Sequence, residues 1–132
     1  MNPVETLAQD TAGSRPVVLI VEDEFLLRWP VAEYLRDSGL RVIEAGSVQE
    51  AIVLLSGDGR IDAVFSDINL PGEQGGLALS RWLDKHRPAI PLLLTSGESV
   101  PAELAGIRPF ISKPYSLAEV EERLERMMAH DD

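Results

Sequence analysis

Side chains that can bind ligands or react follow four of the five short apolar runs in this chain, at the point where each run ends. Acids follow the first run, a hydroxyl and an acid follow another, and two hydroxyls and then a hydroxyl with an ammonium follow the last two. The residues are Glu22, Asp23, Glu24, Ser66, Asp67, Thr95, Ser96, Ser112 and Lys113. They can work together only if the fold brings the ends of these runs to one place.

These residue types indicate phosphoryl chemistry beside a metal ion. Clustered carboxylates repel one another and take up protons unless a cation is present. Oxygen ligands without His or Cys suit Mg²⁺, which binds one or two carboxylates together with water and phosphate oxygens. A lysine can hold a phosphoryl oxygen, a hydroxyl can donate a hydrogen bond to it, and aspartate is an established nucleophile that forms an acyl phosphate. A single Asp or Lys at a strand end is more often a turn residue or a solvated charge, but four strand ends with complementary chemistry are much harder to dismiss.

The apolar runs alternate with stretches of helical spacing. The runs are Val17–Val21, Val42–Ile43, Ala63–Phe65, Leu92–Leu94 and Phe110–Ile111. Five strand-then-helix units predict a doubly wound α/β domain with a parallel sheet, and continuous apolar strands are expected when helices cover both faces. Ligands bind beyond the carboxyl ends of the strands in such sheets. The fold therefore predicts that the side chains named above converge on one edge.

Several helix boundaries can be predicted from local signals. Ser47–Glu50 and Ser116–Glu119 fit the capping box, with a hydroxyl at the cap and a carboxylate three residues later. Gly39 and Gly57 stand where helices should stop in a left-handed turn. Pro30 falls inside the first predicted helix, where it removes a hydrogen bond. Either that helix kinks, or its first turn is irregular and Pro30 begins the regular part.

Composition excludes several classes of function. The chain has 132 residues, no Cys, and only two His, His86 and His130. Disulfides, thiolate nucleophiles, zinc-thiolate sites and histidine-rich metal centres are therefore ruled out. The net charge of −10 opposes direct binding to nucleic acid or to anionic lipid.

Length and end composition predict one domain in the cytoplasm. The longest apolar run is far too short to span a bilayer, and the N-terminus lacks the basic start and apolar stretch of a secretory signal. Residues 1–15 are polar and are predicted to form a flexible tail. We expect a single domain over residues 16–129 and a short C-terminal tail over residues 130–132.

Four segments together resemble the signature blocks of the receiver domain of bacterial two-component response regulators. The segments are Val18–Glu24, Asp67–Gly72, Pro91–Gly97 and Phe110–Tyr115. The resemblance covers residues 16 to about 129. It implies a (βα)5 flavodoxin-like fold with a five-stranded parallel sheet of order 2-1-3-4-5.

The resemblance also implies a phosphoacceptor and a Mg²⁺ site. Asp67 would accept the phosphoryl group from a phosphohistidine of a sensor histidine kinase or phosphotransfer protein, or from a small donor such as acetyl phosphate. Asp23 and Asp67 would bind Mg²⁺ through carboxylate oxygens and Asn69 through its backbone carbonyl, while Glu22 would act through a metal-bound water. The protein would be a signalling phosphoacceptor rather than an enzyme, limited to self-catalysed phosphorylation and dephosphorylation.

A further set of residues would respond to the phosphoryl group. Ser96 would be the switch hydroxyl, and it is favoured over Thr95 because it lies five residues after Pro91, which is the family's spacing. Lys113 would contact the phosphoryl group, with a cis peptide bond to the proline that follows. Phe110 would be the switch aromatic and rotate inward. Asn69 and Glu98 would flank the path of attacking water, where they either tune the lifetime of the acyl phosphate or are ordinary solvated loop residues.

The chain departs from the family pattern between the third and fourth blocks. Only 17 positions separate Ser96 from Lys113, and Pro101, Gly106 and Pro109 lie between them. The fourth helix should be short or irregular, which puts the usual output face and the usual dimer in doubt. Pro30 raises the same question for docking of a kinase or phosphotransfer partner on the first helix.

Two other functions compete with that of a phosphorylated receiver. A haloacid-dehalogenase-type phosphatase needs a second Asp two residues after the nucleophile, and Asn69 cannot serve as that acid. A pseudo-receiver would keep the fold as an interaction module without phosphorylation. No effector segment follows the last predicted helix, so we expect a stand-alone receiver that signals by protein contacts or by phosphorelay, although an excised domain would look the same. The sequence names neither the kinase nor the downstream target.

Overall fold

The computed structural model describes residues 15–72, 75–98 and 100–129, and its centre is a parallel sheet of five strands. The strands lie in the order β2-β1-β3-β4-β5, and every neighbouring pair is parallel. They are β1 (Val17–Val21), β2 (Arg41–Ala45), β3 (Ala63–Asp67), β4 (Leu92–Ser96) and β5 (Phe110–Ser112). The doubly wound fold and its strand order, predicted from the alternating pattern and the family resemblance, are confirmed.

In the part of the chain that the structure describes, four helices cover the two faces of the sheet. They are α1 (Phe25–Asp37), α2 (Val48–Ser56), α3 (Gly75–His86) and α4 (Leu117–Ala129). α2 and α3 bury their apolar residues in a core on one face, and α1 and α4 do so on the other face. β1, β3 and β4 are buried along their whole length because successive side chains enter opposite cores.

The chain between β4 and β5 forms turns instead of a regular helix in the part that the structure describes. The amides of Leu104 and Ala105 both bond to the carbonyl of Pro101, and Leu104 is buried in the core beside α3. The Arg108 guanidinium ties this segment to α3 through Ser80 Oγ at 2.9 Å and Asp84 Oδ1 at 2.6 Å. The predicted fourth helix, which would have lain between β4 and β5, was expected to be short or irregular, and this is confirmed. The physical cause is the short, proline-containing interval between these strands.

Three of the four predicted helix-boundary signals are confirmed. Ser47 Oγ accepts the Glu50 amide at 3.1 Å, and Ser116 Oγ accepts the Glu119 amide at 3.0 Å. Gly39 ends α1 with a φ of +98°, in the left-handed region that favours glycine. The expectation for Gly57 is wrong, because its φ of −80° and ψ of −177° are those of extended backbone.

Pro30 lies within α1, which runs without a break from residue 25 to residue 37. The amides of Leu27 and Arg28 both bond to the carbonyl of Glu24, so the first turn is already helical before Pro30. The idea that Pro30 begins the regular part of the helix is therefore wrong. Pro30 and Leu26, whose carbonyl loses its partner, are both exposed, so water can satisfy that carbonyl.

The predicted tails lie outside the described residues, apart from Arg15 at the edge of the first one. The domain boundaries therefore stay a prediction. Within the described ranges, every helix is too short or too polar to cross a bilayer.

Gly76 positions the chain that leaves β3. Its amide donates to the carbonyl of Ile68 at 2.9 Å. A Cβ at this position would lie 2.8 Å from Ile68 Cα and 3.0 Å from the carbonyl oxygen of Asp67. Both neighbours are backbone atoms that cannot move aside without shifting the end of β3. The start of α3 therefore packs directly on the strand end that carries Asp67.

We expect Gly76→Ala to lower the free energy of unfolding by roughly 2 kcal/mol or more, because the added methyl overpacks a backbone contact. Urea unfolding followed by circular dichroism measures the change. Gly59→Ala is the matched control, because a Cβ there meets no atom within 4 Å. Equal stabilities of the two variants would show that the chain after β3 yields to the methyl and that the close approach is not a constraint.

Candidate functional site

The carboxyl edge of the sheet brings together an acid that ends β3, an acid that follows β1 and a lysine that follows β5. Lys113 Nζ lies 2.6 Å from Asp67 Oδ2 and 3.7 Å from Glu22 Oε1. Glu22 and Asp67 are each only 6% exposed. The predicted convergence of these three residues is observed, although they span most of the length of the chain.

The Asp67 carboxylate is held at both oxygens. Oδ1 accepts the backbone amide of Asn69 at 2.9 Å, and Oδ2 accepts the ammonium of Lys113. The strand fixes the backbone of Asp67 and these two donors fix the orientation of its side chain. A carboxylate restrained in this way presents its oxygens in one direction, which favours attack on an incoming group.

Glu22 is an acid whose charge is poorly compensated. Burial, together with the nearby charge of Asp67, raises its pKa to about 7, although the Glu24 amide at 3.1 Å from Oε2 and the Lys113 ammonium act in the opposite direction. For Lys113, burial alone would lower the pKa, but the hydrogen bond and charge of Asp67 outweigh it and raise the pKa. Two carboxylates thus share one ammonium and remain short of positive charge.

The two hydroxyls at the end of β4 lie in different surroundings. Ser96 Oγ accepts the Asn69 side-chain amide at 3.1 Å and the Glu98 backbone amide at 3.0 Å. Thr95 Oγ1 is buried without a hydrogen-bond partner among the described residues. Ser96 is thus directly connected to the loop that follows Asp67, whereas Thr95 lines a small cavity together with Asp67 and Glu22. Asn69 Nδ2 also lies 3.3 Å from Glu98 Oε1, so the two residues expected to flank the water path are neighbours.

The remaining predicted site residues lie around this cluster. The peptide bond between Lys113 and Pro114 is cis, as the family resemblance implied. Phe110 is half-buried and packs against the core beside α2 and α3. Asp23 is exposed next to Glu22. Among the residues that the structure describes, no three acids or histidines are arranged tightly enough to form a metal-binding group.

The donor set nevertheless fits a hard divalent cation. The side chains of its acids offer oxygen atoms only, and burial, with the nearby charge of Asp67, raises the pKa of Glu22, so a cation at this edge would be favourable. Asp23 stands next to Glu22 at the exposed side, where a hydrated ion can reach it. Mg²⁺ keeps several water ligands and needs only one or two carboxylates, so it does not require a closed cage of three acids.

Comparison with known proteins identifies the family. Residues 18–125 match the model of the response regulator receiver domain. The chain belongs to this family. Each of the four sequence segments that resembled its signature blocks contributes at least one residue to the site at the sheet edge.

Curated relatives contain the receiver domain as part of longer proteins. The sensor kinase CckA of Brucella abortus (strain 2308) is 33% identical over 131 residues, which are 95% of this chain and 14% of the kinase. The probable transcriptional regulatory protein TcrX of Mycobacterium tuberculosis is 34% identical over 123 residues, 89% of this chain and 52% of that protein. The chain thus spans about half or less of the length of these relatives.

Solved structures agree with the fold of this receiver domain. The receiver domain of the hybrid histidine kinase CckA has a TM-score of 0.72 at 28% identity, covering 85% of this chain and 98% of that one. A response regulator receiver protein from Sinorhizobium medicae WSM419 has a TM-score of 0.82, covering 90% of this chain and 98% of that one. Its identity of 23% supports the fold alone.

Two features of this receiver were missed from the sequence. Arg28 Nη1 donates to the backbone carbonyl of Glu22 at 2.7 Å, and no local pattern predicts that contact. An apolar groove of about 440 Å³ lies beside Lys113, and its walls come from α1, from the segment between β5 and α4, and from the first residue of α4. The groove residues are Leu26, Leu27, Pro30, Val31, Lys113, Pro114, Tyr115 and Leu117. The dense apolar start of α1 was the available signal, because one buried helix face does not need so many apolar residues.

The raised pKa of Glu22 predicts a pH dependence of stability. The ordinary pKa of a Glu side chain is 4.5, and the pKa of Glu22 in the folded chain is about 7. Between these two pH values the folded chain binds a proton at Glu22 more tightly than the unfolded chain does. Stability therefore falls as pH rises through this window. We expect a loss of roughly 1–2 kcal/mol in metal-free buffer, reduced from the full linkage value by solvent screening.

Urea unfolding of wild type and Glu22→Gln at a series of pH values between 4.5 and 8 measures this effect. The variant should lack most of the decline seen in wild type. Glu24→Gln, at the exposed neighbour, is the control for a general change of charge. If the free energy of unfolding changes with pH in the same way for wild type and Glu22→Gln, burial of the Glu22 charge does not lower stability.

Proposed function

We propose that this receiver domain accepts a phosphoryl group on Asp67 from a phosphohistidine of a sensor histidine kinase or histidine phosphotransfer protein. The observation that carries the proposal is the Lys113 ammonium at 2.6 Å from a buried, oriented Asp67, beside a second buried acid. Membership of the receiver family supports it. The kinase would be supplied with ATP in the cytoplasm, which is where we propose that the protein acts.

In the transfer step, a carboxylate oxygen of Asp67 attacks phosphorus and forms the P–O bond of an acyl phosphate. The P–N bond to the donor imidazole breaks, and its electron pair stays on the leaving nitrogen. Such reactions need in-line positioning and stabilisation of charge more than covalent assistance. Lys113, which now bonds Oδ2, would move to a phosphoryl oxygen and neutralise part of the added charge.

Mg²⁺ would be held by Asp23 and Asp67, by the backbone carbonyl of Asn69, and by Glu22 through a water molecule. When bound it would neutralise charge on the phosphoryl oxygens. The chain's own contribution is to keep two acids buried at the sheet edge, where the ion relieves their mutual repulsion.

Ser96 would report the new phosphoryl group. Its Oγ already accepts two hydrogen bonds, so its own O–H is the group left to donate to a phosphoryl oxygen. Movement of Ser96 would break its contacts with Asn69 and Glu98 and let Phe110 turn inward. The turns between β4 and β5 would then carry the change to a downstream protein or to a further phosphotransfer step.

The alternatives are weaker on specific grounds. The side chain of Asn69 donates to Ser96 and cannot act as the general acid of an aspartyl-phosphate phosphatase. A pseudo-receiver has no need of an ammonium aimed at a buried Asp, since each buried charge costs stability.

Incubation with acetyl phosphate and Mg²⁺, followed by intact mass measurement, tests the acceptor. We expect one added phosphoryl group on wild type and none on Asp67→Asn. Asp37→Asn, an exposed acid at the end of α1, is the matched control and should be labelled like wild type. Labelling of Asp67→Asn to the level of wild type would show that another residue is the acceptor.

The apolar groove is the docking surface that we propose for the phosphohistidine-bearing partner. It shares Lys113 with the site, so a partner seated there brings its histidine close to Asp67. Leu26 and Leu27, which line the groove together with Lys113, are 81% and 43% exposed, as expected for an apolar surface that binds a partner.

Leu26→Asp should slow transfer from a phosphorylated kinase or phosphotransfer protein at least about tenfold, because a charge replaces a central apolar contact. Labelling by acetyl phosphate, which needs no docking, should stay at the wild-type rate. Val53→Asp is the matched control, since Val53 is 70% exposed on α2, away from the groove. A partner that phosphorylates both variants equally docks elsewhere.

A further inference from the structure

Arg28 contacts the backbone of the loop after β1 through its guanidinium. Its Nη1 donates to the carbonyl oxygen of Glu22 at 2.7 Å. That carbonyl belongs to the peptide unit that joins Glu22 to Asp23. Its orientation therefore sets the direction in which the following acidic side chain leaves the backbone.

The other end of the guanidinium is anchored to β2. Arg28 Nε lies 2.9 Å from Glu44 Oε1, and both side chains are mostly buried, with 18% and 23% exposed. The second oxygen of Glu44 binds Arg36 at 3.1 Å, so the acid is fixed from two sides. The ring of Phe25 lies 5.6 Å from the Arg28 guanidinium carbon and restricts it further. The position of Arg28 is thus determined by the sheet and by α1.

The Arg28 guanidinium, which is paired with Glu44, contacts Glu22 at the backbone carbonyl oxygen and not at the carboxylate. The carboxylate oxygens of Glu22 instead accept the Glu24 amide and face Lys113. The guanidinium fixes the loop without occupying the oxygens that a metal ion needs.

We propose that Arg28 is a positioning residue for divalent-cation binding, acting by fixing the Glu22 carbonyl and being held in place by Glu44. The proposal rests on the proposed function to the extent that it uses the same Mg²⁺ site. It assigns Arg28 no contact with the ion or with the phosphoryl group. Groups that orient the ligands of a metal typically change its affinity by tenfold or more when removed.

If only the charge of Arg28 mattered, its removal would change the affinity for Mg²⁺ in the opposite direction. Removing a positive charge near a site for a divalent cation strengthens binding of that cation. If Arg28 contributes only its charge, its neutral variant should bind Mg²⁺ more tightly than wild type does. If it positions the loop, the neutral variant should bind Mg²⁺ more weakly, in spite of the favourable change in charge.

The experiment is a Mg²⁺ titration of the full chain, followed by the amide chemical shifts of the loop after β1, with no phosphoryl donor present. The variants are Arg28→Met, Arg28→Lys and Arg36→Met. Arg36→Met is the matched control. Arg36 lies on the same helix, carries the same charge and pairs with the same acid, Glu44, but its side chain contacts no atom of Glu22.

We expect Arg28→Met to raise the Kd for Mg²⁺ about tenfold. Arg36→Met should leave it unchanged or lower it by about twofold, as expected for a distant, screened charge. Arg28→Lys should weaken binding although its charge is unchanged, because one ammonium cannot serve the Glu22 carbonyl and Glu44 in the fork geometry of a guanidinium. This variant also decides the matter if Arg28→Met does not fold.

Arg28→Met binding Mg²⁺ as tightly as Arg36→Met does, or Arg28→Lys binding like wild type, would overturn the proposal while leaving the phosphoacceptor function intact. Failure of wild type to bind Mg²⁺ would remove the metal site and the proposal together. Failure of acetyl phosphate labelling with normal Mg²⁺ binding would affect only the proposed function. Urea unfolding of each variant separates a loss of stability, which a purely structural ion pair predicts, from a loss of metal affinity.

Discussion

The shortage of positive charge around two buried carboxylates is the constraint on which the rest of this molecule depends. Glu22 and Asp67 are brought within reach of a single ammonium, and each is almost completely buried. One of the two can lose its charge by protonation, as the raised pKa of Glu22 indicates, or a cation can supply the missing charge. The fold maintains this arrangement because both acids lie at the ends of central strands that cannot move apart.

The two sides of the site differ in rigidity for reasons that lie in the chain. After β3, Gly76 packs against the backbone of Ile68 and Asp67, so Asp67 is held by a contact that has no room to change. After β4, turns take the place of a helix in the described part, and Arg108 bonds to Ser80 and Asp84 of α3. If a phosphoryl group is added between these sides, as we propose, the β4–β5 segment without a regular helix would be the side that moves.

Features that depend only on strand order and residue type could be predicted from the sequence. Convergence of Asp67 and Lys113 required only that parallel strands end at one edge, and Ser47 and Ser116 cap helices through contacts three residues away. The prediction for Gly57 was wrong because a glycine after a helix is compatible with a left-handed turn without requiring one. Contacts that depend on how far a long side chain reaches from one element to another escaped prediction. Arg28 lies on α1 and Glu44 on β2, and neither residue spacing nor strand order says which partner the guanidinium binds.

The acidic character of the chain explains why its proposed docking surface is apolar. A net charge of −10 would attract Mg²⁺, but it would also repel phosphorylated donors, whose transferable group is itself an anion. Charge complementarity therefore cannot bring the donor in over most of the surface. Burial of apolar area gives an attraction that is independent of the sign of charge. The exposed leucines of α1 lie beside Lys113, so the proposed association and the neutralisation of the incoming phosphoryl group would take place at adjacent points.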